Sequence, residues 1–296
     1  MVADCVLHTI ATHSGADGCG EPRWATGGAD AVARSEARVI PEGSDAVRAA
    51  VQALIGGAVR CVEVAGRGGS HVVVNAPRRD CTILSGSFNP VHRGHKCAPH
   101  CRAGSCAQTA VVRSLLGVSS SAVTETCLAC RQLLAAAQAE AGTSHAMFEL
   151  CIRNADKGTI SCDDVLRRLQ PFRDADLPIV LTNATLFPDK ARLFRGCAFA
   201  VGFDTAVRLV DSKYYGDSDP AMAVALAELK AAQCRVVVAG RKDGDGVFRG
   251  LPDVAVPAVI QKMALFSGLR EEVFRADISS SEIRAAAAAD SAAERS

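Results

Sequence analysis

Aromatic side chains are scarce: Phe, Tyr and Trp together make up 4% of the 296 residues. A core with so few rings has to be packed by Ala, Val and Leu, and a hydrophobic content of 49% is ample for that. Charge of one sign is lacking as well. With 33 basic and 32 acidic residues the formal net charge is +1, which removes any electrostatic reason to expect nucleic acid or an anionic membrane as a bulk partner. No apolar run approaches the ~20 residues of a membrane span. The stretch from Met1 to Gly20 contains Asp4 and Asp17 and no continuous apolar core, so it does not read as a signal peptide. Cysteine, by contrast, is plentiful at 13 residues. Without a secretory signal, these read as free, mostly buried thiols in a reducing compartment, and the cytoplasm is the expected location.

A chain of this length suggests one large domain or two small ones. Residues 1–43 are rich in Gly, Ala, Asp and Arg and show no sustained period. Ser44 then caps a helix over Asp45–Ile55, in which Val47, Val51, Leu54 and Ile55 recur at helical spacing and Gly56-Gly57 end the run. Cys61–Val64 and Val72–Val74 read as two strands of a hairpin. The segment between them, Gly66-Arg67-Gly68-Gly69-Ser70, lacks the Lys-Ser/Thr ending of a phosphate loop. From Asp80 onward, strand candidates (Cys81–Leu84, Phe148–Ile152, Ile179–Thr182, Ala198–Val201, Arg235–Ala239) alternate with helical segments (Leu128–Ala141, Asp163–Gln170, Pro220–Ala232). That alternation predicts an α/β fold, a parallel sheet with helices on both faces, preceded by a small N-terminal α+β segment. The expected division is residues 1–79 and residues 80–290.

The segment with most chemistry is Gly86-Ser87-Phe88-Asn89-Pro90-Val91-His92-Arg93-Gly94-His95. It follows a strand, so it falls where a parallel sheet hands over to a helix. Gly86 lets backbone approach a ligand and Pro90 stiffens the turn. His92 and His95, three apart, share a face and can donate hydrogen bonds to phosphate oxygens at the positive end of a helix. Two surface histidines on a loop are the plain alternative. Near the other end, Ile278-Ser279-Ser280-Ser281-Glu282-Ile283-Arg284 places Ser279 and Glu282 as a capping box. Ser280 and Ser281 then present hydroxyl and N–H groups to an anion, and Arg284 follows one turn on. An ordinary capped helix is compatible with the same pattern. Lys157 reads either as a phosphate contact or as a solvated loop lysine. Asp204 reads as an acceptor for a ribose hydroxyl or as a helix cap. Arg241 is a further phosphate candidate, while Asp243 and Asp245, in a Gly-rich loop, read as turn residues. Cys127-x-x-Cys130 has zinc-ligand spacing, but the wider Cys/His pattern is irregular and no metal site is assigned.

These residues carry a resemblance. His92-Arg93-Gly94-His95 resembles the H-x-G-H signature of the nucleotidylyltransferase superfamily, and Gly86-Ser87-Phe88-Asn89-Pro90 is similar to the form found in nicotinamide/nicotinate-mononucleotide adenylyltransferases. Ile278–Arg284 looks like that family's I-S-S-T-x-I-R, and Asn154–Lys157 and Val201–Leu209 are similar to a subgroup of it. The likeness covers about Asp80 to Ala285. It implies a Rossmann-like fold and an enzyme that transfers the adenylyl group of ATP to nicotinamide or nicotinate mononucleotide, forming NAD and pyrophosphate. It also implies catalytic roles for His92, His95 and Arg284, ATP contacts at Gly86, Ser87, Phe88, Ser280 and Ser281, and acceptor contacts at Lys157 and Asp204. Mg2+ is expected with the ATP phosphates rather than in a protein cage. Residues before Asp80 faintly resemble the tail of the competence-damage-inducible family, here truncated. The chain departs from the family at residues 97–127, which interrupt the helix after His95 as a surface excursion or a gene-model error. That interruption motivates an alternative function, an ATP-binding or weakly ATP-hydrolysing regulatory protein with impaired transferase activity.

Overall fold

Strands that are apolar at nearly every position need cover on both faces. Ile179-Val180-Leu181-Thr182 is buried throughout, and Val236 to Ala239 likewise. The computed structural model describes residues 37–40, 44–66, 71–76, 78–86, 88, 128–154 and 158–274. In chain order the elements are β1 (Arg38–Ile40), α1 (Ser44–Ile55), β2 (Cys61–Ala65), β3 (His71–Val74), β4 (Cys81–Gly86), α2 (Leu128–Ala141) and β5 (His145–Cys151). There follow the short pair β6 (Arg153–Asn154) and β7 (Gly158–Thr159), then α3 (Cys162–Asp174), β8 (Ile179–Thr182), α4 (Phe187–Leu193), β9 (Ala198–Gly202) and α5 (Phe203–Leu209). The last are α6 (Asp219–Ala231), β10 (Arg235–Ala239), the hairpin strands β11 (Arg241–Lys242) and β12 (Phe248–Arg249), α7 (Ala258–Gln261) and β13 (Phe266–Gly268).

One 9-stranded sheet runs in the order β1-β3-β2-β8-β5-β4-β9-β10-β13. Every neighbouring pair from β8 to β13 is parallel. Taken in chain order, these parallel strands stand third, second, first, fourth, fifth, sixth across the sheet. That is the doubly wound, Rossmann-like arrangement, and the expected fold class holds. The expected hairpin is present, with β2 and β3 antiparallel and Val62 opposite Val74. Its β2 pairs antiparallel with β8, and β1 pairs antiparallel with β3 on the outside. The N-terminal strands therefore extend the sheet. Val62, Val64, Val72 and Val74 belong to the same core cluster as Phe148 and Leu150, so strands on both sides of Asp80 share one core.

Alternation along the strands sends side chains into two cores. Leu84, Phe148, Leu150 and Leu181 meet α1, α2 and α3 on one face. Ile83, Met147, Val180, Phe199 and Val236 meet α4, α5, α6 and α7 on the other. α3 is capped by Ser161, whose hydroxyl accepts from the Asp164 N–H. It runs past the expected end at Gln170 and through Pro171 to Asp174. The stripe Val165, Leu169, Phe172 explains this: burying Phe172 on the same face outweighs the one backbone donor that Pro171 removes.

Candidate functional site at the sheet's switch point

After β4 the chain builds toward β5 and β8, and after β8 it crosses back to lay β9 on the other side of β4. Connections leaving in opposite directions open a crevice beyond the carboxyl ends of β4 and β9, the place where such sheets bind ligands. Leu84 is in register with Ala200, which sets Gly86 opposite Gly202 at that edge. Gly86 is needed where it stands, since a Cβ there would lie 2.7 Å from Cζ of Phe88. Phe88 has φ 43°, a left-handed conformation costly for a bulky residue. Its ring turns back onto Phe148 (5.8 Å between centroids) and Phe172 (5.0 Å) in edge-on contacts. The first and third residues of the expected phosphate loop are thus anchored in the core, with the strain located at the point where the chain leaves the sheet.

Across the crevice, Gly202 is the extended N-cap of α5 and makes no side-chain cap. Asp204 lies in the helix's first turn, so it does not cap the helix, the competing role considered for it. Its carboxylate instead receives a two-pronged hydrogen bond from Arg241 just beyond β10, Nε to Oδ2 at 2.9 Å and Nη2 to Oδ1 at 2.9 Å. Both groups are partly exposed, so the fork orients more than it stabilises. Beyond Arg241, Asp243 is a turn residue as expected. It accepts from the N–H groups of Asp245 and Val247, and Arg249 donates to its other oxygen. The Arg249 hydrogen bond, with those backbone N–H groups, holds the Asp243 carboxyl below its ordinary pKa. The hairpin closes tightly over Gly240, where a Cβ would stand 2.1 Å from Cζ of Phe248.

Beneath this edge is a polar cluster that no motif announces. Glu149 is 0% exposed and Lys190 4%. The Lys190 ammonium donates to Glu149 Oε2 at 2.6 Å and to the Ser85 hydroxyl at 3.1 Å, and Thr182 donates to the other carboxylate oxygen. Ser85 immediately precedes Gly86 and lies in register with Glu149. The available signal was an acid inside the apolar run Met147-Phe148-Glu149-Leu150. Its partner on α4, 41 residues away, left no trace in local pattern.

Of the residues expected to act, Gly86 and Phe88 lie at and just beyond the carboxyl end of β4, and Asp204 just beyond that of its neighbour β9, with Arg241 bonded to Asp204. Ser87, His92, His95, Lys157, Ser280, Ser281 and Arg284 lie outside the described residues. Among the described residues, no group of three or more His, Cys, Asp or Glu could hold a metal ion, and no helix is long and apolar enough to cross a membrane. Cys61, Cys81, Cys151, Cys162, Cys197 and Cys234 are free thiols, whereas Cys130 is disulfide-bonded and departs from that expectation. No protein-family model, curated protein or solved structure matches this chain.

Proposed function

We propose that the chain transfers the adenylyl group of ATP to nicotinamide or nicotinate mononucleotide. In this reading a phosphate oxygen of the mononucleotide attacks the α-phosphorus, the bond from that phosphorus to the bridging oxygen breaks, and pyrophosphate leaves. The protein's task is to hold two polyanions in line and to stabilise charge on the departing oxygens. His92 and His95 serve the α-phosphate, Ser280, Ser281 and Arg284 the leaving phosphates, and Lys157 the acceptor. Asp204, the described carboxylate at the crevice, has both oxygens on Arg241. Mg2+ accompanying ATP would be held mainly by the substrate's phosphate oxygens and water and would offset their charge.

The observation that carries the reading is the place of Gly86. Gly86, the first residue of the G-S-F-N-P-V-H-R-G-H segment, ends β4, the first parallel strand, beside β9, which ends at Gly202. The approach to the second motif is also consistent: Phe274 and Phe88 both pack into the core cluster that contains Leu84. Purified protein given ATP and mononucleotide should form a dinucleotide, and His95→Ala should abolish this while leaving the circular dichroism spectrum unchanged. Full activity in the variant would sink the mechanism.

The Asp204–Arg241 fork favours a second reading, nucleotide binding without synthesis, because a ribose hydroxyl has to share or displace a carboxylate already engaged. ATP binding in the absence of any dinucleotide product, across both pyridine mononucleotides, would select it.

A further inference from the structure

A charge buried in a protein is normally paired, because an isolated one carries a large desolvation cost. Three of the four buried charged residues described here obey this: Glu63 meets Arg78, and Glu149 meets Lys190. Arg131 does not. It is 5% exposed, its Nε is enclosed without a hydrogen-bond partner, and no ion pair or hydrogen bond among the described residues engages it. Burial lowers its pKa, with no opposing influence from a neighbouring charge.

Its location narrows what could complete it. β4 and β5 are parallel, so the connecting α2 runs back along the sheet with its N-terminal turn at the carboxyl edge. Arg131 is in that turn. It lies three residues before Leu134, on the face that carries Leu134 into the core with Leu84, Ala200 and Ala239. α2 packs across β4, β9 and β10. A buried guanidinium is therefore placed over the carboxyl ends of the strands that frame the crevice, at the positive end of a 14-residue helix. Its planar fork suits the oxygens of a phosphate.

We propose that Arg131 binds a phosphate group of the ligand that occupies the switch-point crevice, and that the bound anion supplies the charge its burial requires. This rests on the crevice being a nucleotide site, and not on which reaction follows. Removing the charge therefore has opposite consequences for the empty and the occupied protein. Loss of an uncompensated buried cation should stabilise the empty protein, whereas loss of a charge-assisted contact should weaken anion binding about ten- to hundredfold.

Calorimetric titration of the full-length protein with sodium pyrophosphate, ATP and nicotinamide mononucleotide, each at fixed ionic strength, provides the test. It compares wild type, Arg131→Met and Arg131→Lys, with melting temperatures in phosphate-free buffer. We expect Arg131→Met to melt higher than wild type without anion and to lose affinity by that factor, with Arg131→Lys falling between. The anion that suffers the loss identifies the source: pyrophosphate and ATP together for the triphosphate, the mononucleotide alone for the acceptor. Affinities unchanged in both variants overturn the proposal, as does failure of wild type to bind any of the three. A lower melting temperature in Arg131→Met with unchanged affinity shows an internal acid as partner and also overturns it. Should Arg131→Met fail to fold, the Arg131→Lys affinity decides alone. Wild type that binds pyrophosphate, with affinity lost in Arg131→Met, but forms no dinucleotide would defeat the transferase reading and leave Arg131 assigned.

Discussion

At the scale of single residues, the sharpest consequence comes from Lys190 and Glu149. A buried pair gains from its Coulomb attraction only enough to offset desolvation, but breaking it strands a charge. Lys190→Met should cost about 3–5 kcal/mol in denaturant unfolding, and Glu149→Leu added to it should recover most of that loss. A single substitution costing under ~1 kcal/mol would show that water reaches the pair. The thiols give a second prediction. Burial pushes the Cys81 thiol up to about 12 and the Cys197 thiol up to about 11. Since the thiolate is the reactive form, both should resist alkylation at pH 8 in the native protein and react on unfolding, as mass spectrometry of the labelled peptides would show. Rapid native labelling at either position would contradict the packing described around them.

At the scale of elements, glycines at the sheet's carboxyl edge differ in what they tolerate. A Cβ on Gly240 would meet Cζ of Phe248 at 2.1 Å and the Arg249 carbonyl at 2.7 Å. Gly240→Ala should therefore lose about 1–3 kcal/mol by overpacking, and Phe248→Ala in the same protein should restore only part, because the carbonyl remains. At Gly202 nothing lies within 4 Å of a Cβ, so Gly202→Ala should leave thermal stability within about 0.5 kcal/mol. Equal effects at the two positions would refute this account of the edge. Much at this scale was legible beforehand. The bounds of α2, β8 and β10 agree with the periodicity reading, because long apolar runs and helical stripes are local properties of the chain. The extension of α3 beyond Gln170 was not legible, because the burial of Phe172 that carries the helix through Pro171 is a tertiary effect.

At the scale of the whole molecule, local pattern carries less. Alternation of strands and helices announced a parallel sheet, but strand order is a tertiary matter. The opposition of Gly86 to Gly202, the Asp204–Arg241 fork and the Glu149–Lys190 pair all join positions far apart in the chain. Only one partner of each had drawn attention, or neither, except at the fork, where Asp204 and Arg241 were singled out separately. The strands β2 and β3 were legible as a hairpin, yet β1 and the docking of β2 on β8 were not, since nothing in Cys61–Ala65 distinguishes a lone hairpin from an edge extension. Because β2 and β3 share a core with Phe148 and Leu150, unfolding should show one cooperative transition across residues 37–274. Deleting residues 1–79 should bare the β8 edge and bring aggregation. Two separate transitions, or a soluble and stable truncation, would mean that the strands add little.

Nucleotide binding where β4 and β9 part should slow backbone exchange on both strands' carboxyl ends. Hydrogen exchange of the full-length protein, followed by mass spectrometry with and without ATP, addresses that directly. Slowed exchange in peptides covering 84–95 and 202–208 is the predicted result. Exchange unchanged in both while ATP is bound, or protection confined to another part of the sheet, would contradict it.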